Sequence, residues 1–305
     1  MKLLDLEGTE IPPGLDKFQP TPFAPSAAAR YRWGRQQEER LVADIQMFMA
    51  RRPYTYHQHN DEARLEWWLT IEFTDALPLV EWSLRFGDVI HSYRACLDHL
   101  MWEAVSRTAG DGGPPDPRAV SFPVYDTPKQ FEAWRRRLKV DLDPRFLHRV
   151  SLHQPYNTKG PLQGVGEVLA SLTRLNNIDK HRILPIMALG ETSGRIGGRS
   201  EPADVPGRMI RVLATPPLRT GSELVRYRFE QPMDLVEIDF DTELEAAVPL
   251  PGDGDRFSPS TMSQLLISYH QVVYGTLFDL GIAFERPGAR SYPPEVLEQV
   301  GDPDL

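Results

Sequence analysis

Two short stretches of this chain gather side chains able to move protons or hold anions. The first holds His91, Ser92, Arg94, Asp98, His99 and Glu103, all within about three turns if the segment is helical. The second is the run Arg174-Leu175-Asn176-Asn177-Ile178-Asp179-Lys180-His181-Arg182. An imidazole titrates near neutrality and serves as general base, while a guanidinium stabilises developing anionic charge. Both types occur in the first stretch, and Lys180 and His181 in the second add a cation and a further acid.

On a helical wheel over 88–108, Val89, Tyr93, Leu97, Leu100, Met101 and Ala104 make one apolar face. Asp88, His91, Ser92, Asp98, His99 and Glu103 take the opposite face, with Arg94 at its edge. Arg94 and His99 are then roughly 140° apart, flanking the polar face rather than stacking. A plainer reading stands beside this one. Arg94 and Asp98 are spaced i,i+4, as ion pairs that decorate solvated helices are. In the second stretch Arg174, Asn177 and His181 line one stripe if the run is helical. Lys180, His181 and Arg182 also suit a last turn, where cations complement the helix dipole before Pro185.

The block Arg94-Ala95-Cys96-Leu97-Asp98-His99 resembles the Arg, four to six residues, then His pattern of HEPN-superfamily helical domains. That resemblance implies a dimeric, metal-independent ribonuclease of the toxin or anti-phage kind, or a nucleotide-binding protein, with RNA or a nucleotide as partner. His99 would activate a 2′-hydroxyl and Arg94 would stabilise the phosphorane. His91, Asp98, Asn177, Asp179, Lys180 and His181 would supply binding contacts. A wider set of blocks, SYRACLDHLMWEAV, SFPVYDTPKQFEAW, SLHQPYN and LTRLNNIDKHRILP, is similar in order to a group of uncharacterised bacterial proteins. Two further readings stay open. One is a non-catalytic binding module with the same polar pocket; the other is a metal-dependent hydrolase using His91, Asp98, His99 and His181.

The formal charge is −9, which argues against a generic nucleic-acid surface but leaves room for one basic pocket. Cys96 is the only cysteine, so an internal disulfide and a cysteine zinc site are both excluded. With cations beside each histidine cluster, the expected site holds no metal and needs no cofactor. His57-Gln58-His59 alternates as a surface strand would. Gly164-Val165-Gly166 lacks a dinucleotide fingerprint. No membrane span and no targeting run is read, so the cytoplasm is the expected compartment.

The elements that must position these residues give an α+β expectation: a helical bundle packed on an antiparallel sheet. A Pro-rich arm occupies 1–25, a single composite domain 26–290 and a tail 291–305. Ser26 reads as the cap of a helix to about Arg51. Alternation predicts strands between Tyr54 and Phe86, with turns at Asn60-Asp61 and Asp75-Ala76-Leu77-Pro78. Trp67, Leu69, Ile71 and Phe73 stand against Glu66, Thr70 and Glu72, and Val80, Trp82, Leu84 and Phe86 against Glu81, Ser83 and Arg85. Gly87-Asp88 would then open the helix carrying Arg94. Thr127-Pro128-Lys129-Gln130 is a capping box for a helix to about Lys139. Helical pieces follow at 144–153 and 163–182, a Gly- and Pro-rich loop at 190–207, and strands near 208–215, 223–230 and 233–240. Ser258-Pro259 caps a last helix, and all six tryptophans read as core.

Overall fold

The computed structural model describes residues 24–159, 162–191, 197–201, 207–212, 217–239, 243–250 and 258–285. In chain order the elements are α1 (Pro25–Ala50), β1 (Tyr54–Asn60), β2 (Glu66–Phe73), α2 (Leu79–Ala109), α3 (Pro128–Leu138), α4 (Pro144–Leu152) and α5 (Val165–Asp179). After these come β3 (Met187–Glu191), β4 (Gly197–Glu201), β5 (Gly207–Val212), β6 (Glu223–Phe229), β7 (Leu235–Asp239), β8 (Glu243–Leu250), β9 (Ser258–Thr261) and α6 (Met262–Glu285). The fold is α+β, as the pattern of the sequence implies. Two compact units divide the chain: Met1–Arg35 with Ile90–Asn176 and Tyr269–Leu305, and Gln36–Val89 with Asn177–Ser268. Every described strand belongs to the second unit, and the described regular elements of the first are helices. The Pro-rich arm, save Ala24 and Pro25, and the C-terminal tail lie outside the described residues.

In the second unit, β1-β2-β6-β5 form one antiparallel sheet, β3-β8-β9 another, and β4-β7 a two-stranded ribbon. The β1–β2 turn is organised by Asp61, whose Oδ1 accepts the amides of Leu65 at 2.7 Å and Glu66 at 2.8 Å. Along β2, Trp67, Leu69 and Ile71 are buried while Glu66, Trp68 and Thr70 are only half-buried, the period-two signature of a one-sided sheet. Leu69 and Ile71 pack with Leu224, Val225 and Leu244, and Met49 of α1 covers them.

Residues 79–86 are not a strand but the first two turns of α2. The Trp82 amide donates to the Pro78 carbonyl at 3.0 Å, and Trp82, Ser83 and Phe86 are buried while Val80 and Leu84 are more than half exposed. Four apolar residues at period two also satisfy helical spacing at i and i+4, so the alternation did not discriminate. The buried series Trp82, Phe86, Val89, Tyr93, Leu97, Leu100 and Ala104 is one continuous helical stripe. Gly87 is therefore inside the helix rather than at its start. It is glycine because a Cβ there would collide with the Asp179 carboxylate.

Other boundaries shift for local reasons. Pro25 takes the first position of α1, since the Ala28 amide bonds the Ala24 carbonyl at 3.0 Å. Ser26 is then free to reach Glu103, 3.2 Å away, instead of capping. Thr261, not Ser258, caps α6 by accepting the Gln264 amide at 3.2 Å, because Ser258 and Pro259 belong to β9. The Thr127 cap and the Pro128 start of α3 are as the sequence implies, with Lys139 left-handed at the end. The 190–207 stretch contributes β4 and parts of β3 and β5 rather than a loop alone. Of the tryptophans, Trp67, Trp82 and Trp134 are buried, but Trp33 is 50% and Trp102 42% exposed. No helix among the described residues is long and apolar enough to cross a membrane.

Candidate functional site

The first polar stretch lies on α2 inside the helical unit, and its arginine is committed. Arg94 Nη1 donates to Asp98 Oδ1 at 2.7 Å, and Nη2 donates to the Phe122 carbonyl at 2.8 Å. Asp98 Oδ1 also accepts the Phe122 amide at 2.8 Å. The Arg94 side chain is 11% exposed. One ion pair on a helix thus satisfies both backbone groups of one residue in an extended segment. Such a segment, buried without a sheet neighbour, must find partners for its amides and carbonyls elsewhere.

The same segment is held from its other end by Gln154, which follows α4 and is fully buried. Its Nε2 donates to the Pro123 carbonyl at 3.0 Å and the Val150 carbonyl at 3.1 Å, and its Oε1 accepts the Tyr125 amide at 3.1 Å. Gly166 of α5 lies against the Gln154 backbone so closely that a Cβ there would collide with it. Three blocks singled out in the sequence, around Arg94, Phe122 and Gln154, therefore meet as one staple.

His91 is exposed at the ring but its Nδ1 lies 3.3 Å from Asn176 Oδ1, a hydrogen bond with the imidazole donating. Asn176 is 3% exposed. The sequence pointed to its neighbour Asn177, which is exposed. Helical phase could have marked Asn176 as the buried one of the two, since it follows Leu172 and Leu169 at i+4 and i+7 on the buried stripe. His99 is half-buried and has no hydrogen-bond partner among the described residues. Burial pushes the neighbouring Cys96 thiol up, with the Asp98 charge adding to it, so it stays protonated.

The second polar stretch closes α5, with Asn177 and the residues after it assigned to the other unit. The helix ends at Asp179, and the amides of His181 and Arg182 both turn back to the Ile178 carbonyl at 3.0 Å. Lys180 and His181 are exposed, and Asp179 packs against Gly87. His181 is past the helix, so the stripe from Arg174 does not reach it.

Two clusters were not legible beforehand. In the helical unit, Asp279 of α6 is 1% exposed and pairs with Arg149 of α4. His153 donates from Nδ1 to the Arg149 carbonyl at 2.9 Å, and its Nε2 sits 3.5 Å from Asp279 Oδ2. Burial holds His153 below the usual imidazole range, with Asp279 opposing that shift. On the sheet's open face, Arg226 lies 4.3 Å over the Trp68 ring and pairs with Glu223 and Glu66. The hydrogen bonds from Arg228 and Arg226 hold the Glu66 carboxyl below its ordinary value. His57 and His59 lie on this face as a surface strand would place them, bonded to Glu72 and Thr70 respectively. Among the described residues, no three His, Cys, Asp or Glu side chains gather as a metal site.

The chain matches no protein-family model, no curated protein and no solved structure.

Proposed function

We propose that this chain is a non-catalytic binding module in which the Arg94–Asp98 pair serves architecture rather than chemistry. The observation that supports this reading is the double engagement of Arg94. A guanidinium that neutralises phosphorane charge must be open to the substrate, whereas this one is spent on Asp98 and the Phe122 carbonyl. Releasing it would strand a buried carbonyl and unpair Asp98. The test is to incubate the purified chain with single-stranded and structured RNA in EDTA and look for 2′,3′-cyclic phosphate ends. No cleavage is the expected result. Cleavage that disappears in His99→Ala would overturn the reading.

A second reading rests on His99. It is half-buried on the polar side of α2, without a hydrogen-bond partner among the described residues, and so is available as a base. A HEPN-like, metal-independent ribonuclease acting as a dimer would use it with Arg94, and the same assay decides between the two.

A further inference from the structure

The second unit contains a cleft of about 480 Å³, within the size range of small-molecule sites. Its walls are the last turns of α1, the start of β1, the first half of β8 and the first turn of α6. Ile45, Met49, Leu244 and Met262 supply its apolar half, and Arg52 and Glu245 bring opposite charges to the polar half. Neither charge has an ion-pair or hydrogen-bond partner among the described residues, and they do not pair with each other.

Arg52 is the informative residue. It occupies the left-handed region at φ 50°, just past the end of α1, where its amide donates to the Met49 carbonyl at 2.9 Å. Glycine is the usual occupant of such a position because it has no Cβ to strain. Its neighbour Arg51 has a structural contact, lying 4.7 Å over the Phe48 ring. Arg52 closes the helix through its backbone, but its guanidinium has no such contact and is left to face the cleft. The first turn of α6 also opens on the cleft and carries no acidic residue, so the helix dipole adds to the positive side.

We propose that this cleft binds a zwitterion with an apolar side chain, the chemistry shared by a free aliphatic or aromatic amino acid and a short apolar peptide. Arg52 and the α6 end receive the carboxylate, Glu245 receives the ammonium, and the apolar walls receive the side chain. The proposal deepens the binding-module reading and rests on it.

The experiment is a calorimetric titration of the full chain with L-leucine and with leucyl-leucine, against octanoate, hexylamine and N-acetyl-leucinamide as probes lacking one or both charges. The zwitterions saturate and the three controls bind at least about tenfold more weakly, the loss expected for removing a charge-assisted contact. The tighter of leucine and leucyl-leucine identifies the source. Arg52→Gly weakens the zwitterions by a similar factor without lowering the melting temperature, since glycine relieves the left-handed residue. Glu245→Gln weakens them while sparing octanoate. Equal binding of octanoate, unchanged binding in Arg52→Gly, or no saturation by either zwitterion up to about 10 mM overturns the proposal. RNA cleavage by a chain that still binds leucine would sink the module reading and leave the cleft standing. The reverse pattern sinks the cleft alone.

Discussion

Arg94 and Asp98, one turn apart on α2 and 2.7 Å from each other, act as a single device that grips residue 122 by both its amide and its carbonyl. Arg94→Ala and Asp98→Ala should each destabilise the chain by about 1–3 kcal/mol, the cost of leaving a buried backbone group unpaired. The Asp98 figure belongs toward the lower end, because that side chain is 37% exposed and partly screened. In urea denaturation the double variant should lose less than the sum of the singles, because both remove one grip. Strict additivity would show that the pair does not act jointly on Phe122.

How much of this was readable beforehand follows from the range of each interaction. The i,i+4 relation of Arg94 and Asp98 is local and visible, but Phe122 is separated from Arg94 by 28 residues, and nothing in the sequence marks it as partner. The α+β class, the Thr127 cap and strands β1, β2 and β6 carry short-range signals and were legible. Val80–Phe86 was not, because period two over seven residues overlaps with helical i,i+4 spacing. The cleft at Arg52 was also hidden. Its arginine resembles any helix-ending cation until the backbone angle is known.

Gln154 makes the second prediction. Its side chain serves three backbone groups at once, so Gln154→Leu should cost about 2–4 kcal/mol despite its similar volume, several buried groups being left unpaired together. Amide exchange at Tyr125 should accelerate in the variant while exchange in α3 follows global stability. A Tyr125 amide no faster than before would mean another group holds the segment.

Glycines in two helices should respond in opposite directions. Gly275 of α6 has nothing within 4 Å of an added Cβ, so Gly275→Ala should stabilise by about 0.5–1 kcal/mol through helix propensity. Gly87→Ala should instead destabilise by about 1–3 kcal/mol as an overpacked contact, since its Cβ would meet the Asp179 carboxylate. Adding Asp179→Gly to Gly87→Ala should recover part of that loss. If both alanines stabilise equally, the close approach of Asp179 to α2 is wrong.

His270 carries the pH prediction. Burial, helped by the Arg35 charge, pushes its imidazole down to about 3, and its Nδ1 lies 3.0 Å from the Tyr31 hydroxyl. In the unfolded chain the same imidazole titrates near its ordinary value of 6.5. As pH falls below 6.5 the unfolded state takes up a proton that the folded state refuses. The stability due to this residue is therefore complete above that value and declines as pH drops toward 3. The slope is about 1.36 kcal/mol per pH unit, giving a loss of about 2 kcal/mol between pH 7.5 and pH 5. His153, also held low by burial, works in the same direction. His270→Gln removes the titration while keeping a partner for Tyr31, so its stability should fall less steeply over that window by about one proton's worth of slope. Chemical denaturation at several pH values between 7.5 and 5 measures the difference. Parallel curves for the two proteins would show that His270 is protonated as readily in the folded chain as in the unfolded one, and the buried neutral imidazole beside Tyr31 would have to be abandoned.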